Sequence, residues 1–434
     1  MASMPPKINS EGKYSLLSLT LSAPGGRVID LQGQAVKCDI YESILSPTVI
    51  GVFQLYDSIG IFNSFVFEEQ ELCVSWSTNE TGKEIHYRFK LLGGNPEAET
   101  SSQGQTVTYT LTGISPEAFN STKMQDFQEK FAAVTKKIEP YAIVTLALEQ
   151  ALKTDKPKYY EKTKGLHQFN FTKVTPFDAI EKARQDAVSA THDSSSYVFF
   201  ENKDGYHFIT IEELIKRGRE KIGDKVFFNA PVGGIDSGGS LWRNILAYKV
   251  VQLGNQAALA ATGGAKVIIN FQNIRNKKEI ISRQAELGDY EFEKLNKGTE
   301  VLSTAAMEKN KDQPPVVRQY LFDPEDEQND LIDKKAALSV YMSEFLSVIN
   351  HITIYGDSEI TAGNVITVHI DEPSGLNHDG PNEENTTISG NFLVTKVRHC
   401  LTFGDTPEYY QALEIVKDGM NSATQPIKMS YIHS

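Results

Sequence analysis

Cysteine is scarce in this chain: Cys38, Cys73 and Cys400 are the only three in 434 residues. They are far apart and odd in number, which excludes a disulfide framework and points to folding in a reducing cytoplasm. They read as small buried apolar residues. No apolar run approaches the roughly 20 residues that cross a bilayer, and the opening "MASMPPKINSEGKYS" lacks the apolar core of a secretory leader. Runs of Lys and Arg interleaved with aromatics are also missing, so a nucleic-acid platform is not expected. The formal net charge is −13, and an acidic chain has little to displace the counterions of a phosphate backbone.

Catalytic signatures are equally thin. "GGIDSGGS" (233–240) has the Asp-Ser-Gly-Gly of a serine-protease turn, but position 235 is Ile, and no Ala-His-Cys context upstream supplies a base. It reads as a linker. "ATGGAK" (261–266) lacks the Gly-Lys-Ser/Thr of a phosphate loop and reads as a hairpin turn. The nine histidines never fall at metal-ligand spacing beside a third ligand, and His207 and His399 read as satisfied strand residues. The paired acids Glu68-Glu69 and Glu383-Glu384 read as solvated faces rather than a glycosidase pair. No catalytic residue, metal or cofactor is expected.

What the chain does have is strand periodicity. "YSLLSLTLS", "RVIDLQGQAVKCDIYES", "TVIGVFQLYDS", "ELCVSWST", "EIHYRFKLLG" and "TVTYTLTGI" alternate or are rich in β-branched and aromatic residues, with "APGG", "NETGK" and "NPEAETSSQGQ" as turns. They predict an antiparallel barrel or sandwich over 1–115. From Ser115 the period becomes helical. Ser115 and Thr175 read as N-caps followed by Pro, and "MQDFQEKFAAVTKK", "YAIVTLALEQALK" and "TPFDAIEKARQDAV" as helices. "YVFFENKDGYHFITIEELI" reads as two strands turning at Asp204-Gly205, which completes an α/β insertion over 116–233. Strands resume over 234–275 and 346–419, forming a second barrel. Between them lies a polar insertion, 276–345. Its first part, to about 330, reads as solvated loop, with six carboxylates in "FDPEDEQNDLID"; a helix follows over "DKKAALSVYMSEFLSVI". Residues 372–390 form a second polar excursion, and 420–434 a tail. The fold class is mixed and mainly β, with α+β insertions.

Two stretches carry a resemblance. "ITAGNVITVHI … GNFLVTKVRHCLTFGDTPEYYQALEI" resembles the closing strands of central hub proteins from contractile phage-tail baseplates. The valine-glycine-repeat spike proteins of type VI secretion are relatives of these hubs. The positions that match are Gly363, then Gly390, Val394, Val397 and His399. "IYESILSPTVIGVFQLYDS" is similar to the first hairpin of such hubs, which ends on an aromatic-Asp-Ser, here Tyr56, Asp57 and Ser58. The resemblance implies two tube-protein-like antiparallel β-barrels in one chain, and a homotrimer whose six barrels match a threefold central spike to a sixfold tail tube. It implies a structural role in the virion, in contact with spike, tube protein and baseplate wedge proteins, and DNA passing an acidic lumen without specific binding. The excursion at 372–390 is longer than the family turn. With no spike or lysozyme-like domain at the end, puncture and wall cleavage are expected of other proteins. The alternatives are a tail-associated wall hydrolase and a receptor-binding or adhesin module.

Overall fold

The computed structural model describes residues 12–421, apart from 23–25, 58–59, 61–68, 79–80, 102–103, 132–133, 135, 222–224, 230–242, 254–265, 274, 287–292, 297–298, 301–315, 323–330, several positions within 332–347, 372–384, 386–387 and 405–406. Ser58, the Gly/Ser linker, nearly all of the "ATGGAK" turn and most of both acidic excursions fall outside the described residues.

The amino-terminal half comprises β1 (Tyr14–Ser22), β2 (Val28–Asp30), β3 (Ala35–Ser43), β4 (Ile50–Tyr56), β5 (Glu71–Thr78), β6 (Glu84–Ser101) and β7 (Gly104–Ile114). Alternation explains their packing. In β5, Leu72, Val74, Trp76 and Thr78 turn inward while their neighbours stay half-exposed. Trp76, Phe53, Phe89 and Leu111 are fully buried in one core. β6 runs eleven residues beyond Lys90, so "NPEAETS", expected as a turn, is one arm of a long hairpin paired with β7.

An insertion follows, with α1 (Pro116–Lys123), α2 (Phe127–Lys130), α3 (Pro140–Thr145) and α4 (Pro176–Gln185). It also contains the short strands β8 (Lys158–Tyr160), β9 (Thr163–Lys164) and β10 (Val188–Ser189), the hairpin β11 (Tyr197–Asn202) and β12 (Gly205–Thr210), and α5 (Ile211–Arg219). Thr175 caps α4 as expected, accepting from the Asp178 N–H. Ser115 precedes α1 without a capping bond, because its hydroxyl donates to Glu201 instead. Within "MQDFQEKFAAVTKK" the described α-helix is the single turn of α2, and positions 132–133 and 135 lie outside the described residues. "IEELI" belongs to α5 rather than to the hairpin, since Thr210 accepts from the Glu213 N–H and starts a helix there.

The carboxy-terminal half comprises β13 (Val226–Asn229), β14 (Ile245–Leu253), β15 (Lys266–Asn273), β16 (Ile280–Glu286), β17 (Thr299–Glu300) and β18 (Val316–Phe322). It ends with β19 (Val348–Tyr355), β20 (Val365–Ile370), β21 (Gly390–Thr402), β22 (Glu408–Lys417) and β23 (Met420–Asn421). Part of the region expected as solvated loop is therefore sheet. β16 and β18 flank β15 in a separate three-stranded sheet, which removes β15 from the second barrel, where the sequence had placed it. The missed signal is short alternation in "IISRQAE" and "VVRQYLF", masked by neighbouring charge. The described positions between 331 and 345 are helical, and Tyr341 and Phe345 pack into the carboxy-terminal core as expected.

The two halves share one 13-stranded sheet. Its order is β14-β19-β22-β21-β3-β4-β7-β6-β5-β1-β2, with β20 and β13 branching from β21. Read from β3, the first half runs β3-β4-β7-β6-β5-β1. Read from β14, the second runs β14-β19-β22-β21-β20-β13. In each half these are the second, third, sixth, fifth, fourth and first of the corresponding strands in chain order. The irregularities repeat as well. β6 slips against β7 between Leu91 and Gly93, as β21 slips against β22 between Val394 and Lys396. β3 slips against β4 between Ala35 and Lys37, as β14 slips against β19 between Ile245 and Ala247. The copies also differ: β1 joins β5 antiparallel with a slip between Leu16 and Ser18, whereas β13 joins β20 in parallel, and β14 slips a second time between Val250 and Gln252. Bulges are specific local devices, and their recurrence at equivalent places marks the halves as two copies of one architecture.

Candidate functional site: the seam between the halves

The halves meet where β3 pairs antiparallel with β21, residues 37–43 against 402–396. β3 alternates so that Cys38, Ile40 and Glu42 turn inward and Tyr41 outward. That parity drives a carboxylate into the interior. Glu42 is buried, and burial of an ionised carboxylate demands donors. Four converge on it. The Tyr87 hydroxyl of β6 donates at 2.6 Å and the Lys203 N–H of the β11–β12 turn at 2.7 Å. The Thr361 hydroxyl and Ala362 N–H, in the loop before β20, donate at 2.5 Å and 3.0 Å. Glu42 therefore ties together the first half, the second half and the insertion. Burial acts to raise its pKa, but the neighbouring His399 and the Thr361 and Tyr87 hydroxyls outweigh that and bring it down to about 2.

His399 stands on β21 beside this carboxylate. Its Nε2 lies 3.8 Å from Glu42 and its Nδ1 2.7 Å from the Tyr409 hydroxyl; its ring stacks on Tyr409, with Trp76 edge-on and Tyr87 tilted beside it. On the outer face, Asp39 accepts from Arg398 at 2.9 Å and 3.2 Å. Burial pushes the Asp39 carboxyl up, and its bonds with Arg398 and Lys37 bring it below its ordinary value.

The other residues singled out in the sequence are distributed around this seam. Val394 and Val397 are buried in the second core, and their odd spacing is the bulge of β21. Gly390 opens β21 with φ +124°, and Gly363 precedes β20 with φ +91° against Phe200 and Leu214. Both occupy the left-handed region where a side chain is strained. Tyr56 ends β4 largely exposed, and the Asp57 N–H donates to the Val107 carbonyl. These two flank the β4–β7 ladder and do not approach His399.

Sequence reasoning missed a second buried cluster. Lys156 bridges Glu117 of α1 at 2.7 Å and Glu201 of β11 at 2.5 Å. Burial pushes the Glu201 carboxyl up, while at Glu117 the Lys156 charge and hydrogen bonds overcome burial and bring it down. A polar cleft of about 350 Å³ adjoins it, lined by Arg88, Asp155, Lys156 and Glu201 among others. The acids there are engaged: Glu201 also accepts from Ser115, Tyr206 and the Val49 N–H, Glu117 from Thr154, and Asp155 pairs with Arg88. The arrangement anchors the insertion to the first half.

No family model matches the chain. A "probable baseplate hub protein" of Vibrio phage KVP40 is 22% identical over 391 residues, covering 85% of this chain and 87% of that protein. Among solved structures, the 43 kDa tail protein of prophage MuSo2 from Shewanella oneidensis superimposes with TM-score 0.56 at 9% identity, over 92% of this chain and 98% of its own. A tail protein from Neisseria meningitidis MC58 gives 0.54 at 10% identity, over 94% and 99%. The likeness to a phage baseplate hub protein thus extends over 85% of this chain, and the mainly β fold is shared with phage tail proteins over more than nine-tenths of it.

Proposed function

We propose that this protein is a structural hub of a phage-tail baseplate, acting as a homotrimeric ring that matches a threefold spike to a sixfold tube. The observation that carries the reading is the repeated strand order with its repeated bulges. Two equivalent units already pair edge to edge within one chain through β3 and β21. A head-to-tail contact of that kind either closes into a ring or grows as a filament, and three chains of two units close as six.

Such a ring would present the outer face of the joint sheet toward its axis. Several of the described charges on this face are paired, Asp39 with Lys37 and Arg398, and Glu414 with Lys396 and His351, while Lys249 of β14 lies on the same face outside these pairs. DNA would then pass a neutralised, hydroxyl-rich wall, with Thr108, Thr110 and Thr112 on β7 alternating away from the core. This differs from the carboxylate lining expected from net charge, and both leave the phosphates without a row of free cations. The spike, the tube protein and wedge proteins are its partners in this reading. The reading is structural rather than catalytic: the buried Glu42, Glu117 and Glu201 are engaged by donors that tie the parts of the chain together.

Mass in solution and negative-stain images test the proposal. Rings of three chains with a central opening are expected. A chain that stays a compact monomer at high concentration would overturn it.

A further inference from the structure

The repeat fixes more than the number of units. Along β21, residues 390–393 pair with β20, and residues 396–402 on the same edge receive β3. β6 is its counterpart. Residues 84–90 pair with β5, residues 90–101 pair with β7 on the opposite edge, and no described strand lies along the first edge beyond Leu91. The counterpart of β3 is β14, which ends the joint sheet and has β19 as its only ladder partner among the described strands. Each half therefore has a site of the same design, and among the described residues only one of the two is filled.

Burial records the difference. Thr395, in the bulge of β21, is 3% exposed, whereas its equivalent Leu92 is 50% exposed. β14 leaves Leu246, Tyr248 and Val251 exposed at 41%, 40% and 48%. Apolar side chains on two unpaired strand edges are the features that native edges otherwise suppress.

We infer that β14 of one chain pairs antiparallel with the outer arm of β6 in a second copy, in the register that β3 and β21 use within one chain. This rests on the ring reading and specifies its joint. Counting from the matched bulges, Asp39 corresponds to Lys249 and Cys400 to Glu97. Asp39 lies opposite Cys400, so Lys249 lies opposite Glu97, a cross-strand pair of opposite sign. Tyr248 lies opposite Ala98, and Ala247 opposite Glu99. Pro96 offers no N–H at the level where β14 bulges between Val250 and Gln252, so both strands interrupt the ladder at one place.

The test is cysteine pairing in the full chain under mild oxidation, read on a non-reducing gel beside solution mass. The variant carrying Lys249→Cys and Glu97→Cys is expected to give covalent dimers and trimers, absent from the parent chain with its three natural cysteines. Lys249→Cys with Gly94→Cys, three residues out of register, is expected to give at least tenfold less. Trimers in which the first pair fails to cross-link, or in which the displaced pair cross-links equally well, overturn this joint and leave the ring intact. A chain that neither associates nor cross-links overturns both.

Discussion

Replacing Glu42 by Gln tests the physical account of the seam directly. The substitution keeps the shape but removes the charge and turns an amide NH2 toward at least one of the groups that donate to the carboxylate. The carboxyl drops from an ordinary 4.5 to about 2 in the fold, and at about 1.36 kcal/mol per pKa unit this is worth ~3 kcal/mol of stability. That agrees in scale with the roughly 3–5 kcal/mol lost when one partner of a buried charged network is removed. A depressed carboxyl stabilises the fold fully above its unfolded value and loses that contribution as pH falls toward the folded one. The gap between wild type and Glu42→Gln should therefore be ~3 kcal/mol at pH 7, begin to close below about pH 4.5, fall to roughly half by about pH 3 and be largely gone only near pH 2. Urea unfolding of both proteins across pH 3 to 7 measures it, and the difference between the two curves removes the contributions of other acids. A gap below about 1 kcal/mol at pH 7, or one that does not change with pH, would refute the claim that an ionised Glu42 holds the three parts together.

Two further outcomes follow from the packing. Gly363→Ala should cost ~1–2 kcal/mol by thermal unfolding, because φ +91° is unfavourable for any L side chain and Phe200 and Leu214 already crowd the position. Trp76→Ala should cost ~3–5 kcal/mol by denaturant titration, because the indole is fully buried among Tyr87, His399 and Tyr409 and its loss leaves a cavity at the seam.

Strand positions were legible because period-2 alternation is a local property, and "ELCVSWST" shows it in eight residues. The pairing of β3 with β21, more than 350 residues apart in sequence, leaves no local trace. Glu42 illustrates the gap. In "CDIYES" it resembles a solvated acid, yet it shares parity with Cys38 and Ile40, and that parity was the available signal that it turns inward. The spacing of Val394 and Val397, odd for a regular strand, likewise announced the bulge that the structure contains. β16 and β18 were hard to read for the opposite reason: their alternation is short and is masked by neighbouring charged and polar residues. The "NPEAETS" arm opens on an Asn-Pro signal that ordinarily marks a turn, and pairing with β7 holds it extended.

The fourfold grip on Glu42 also bears on movement. A carboxylate held by both halves and by the insertion fixes the angle between neighbouring units inside a chain, so neither unit can swivel without stranding a charge. If the proposed ring of three chains widens or narrows, the joints that would give way are those between subunits, and the hinge count would be three rather than six.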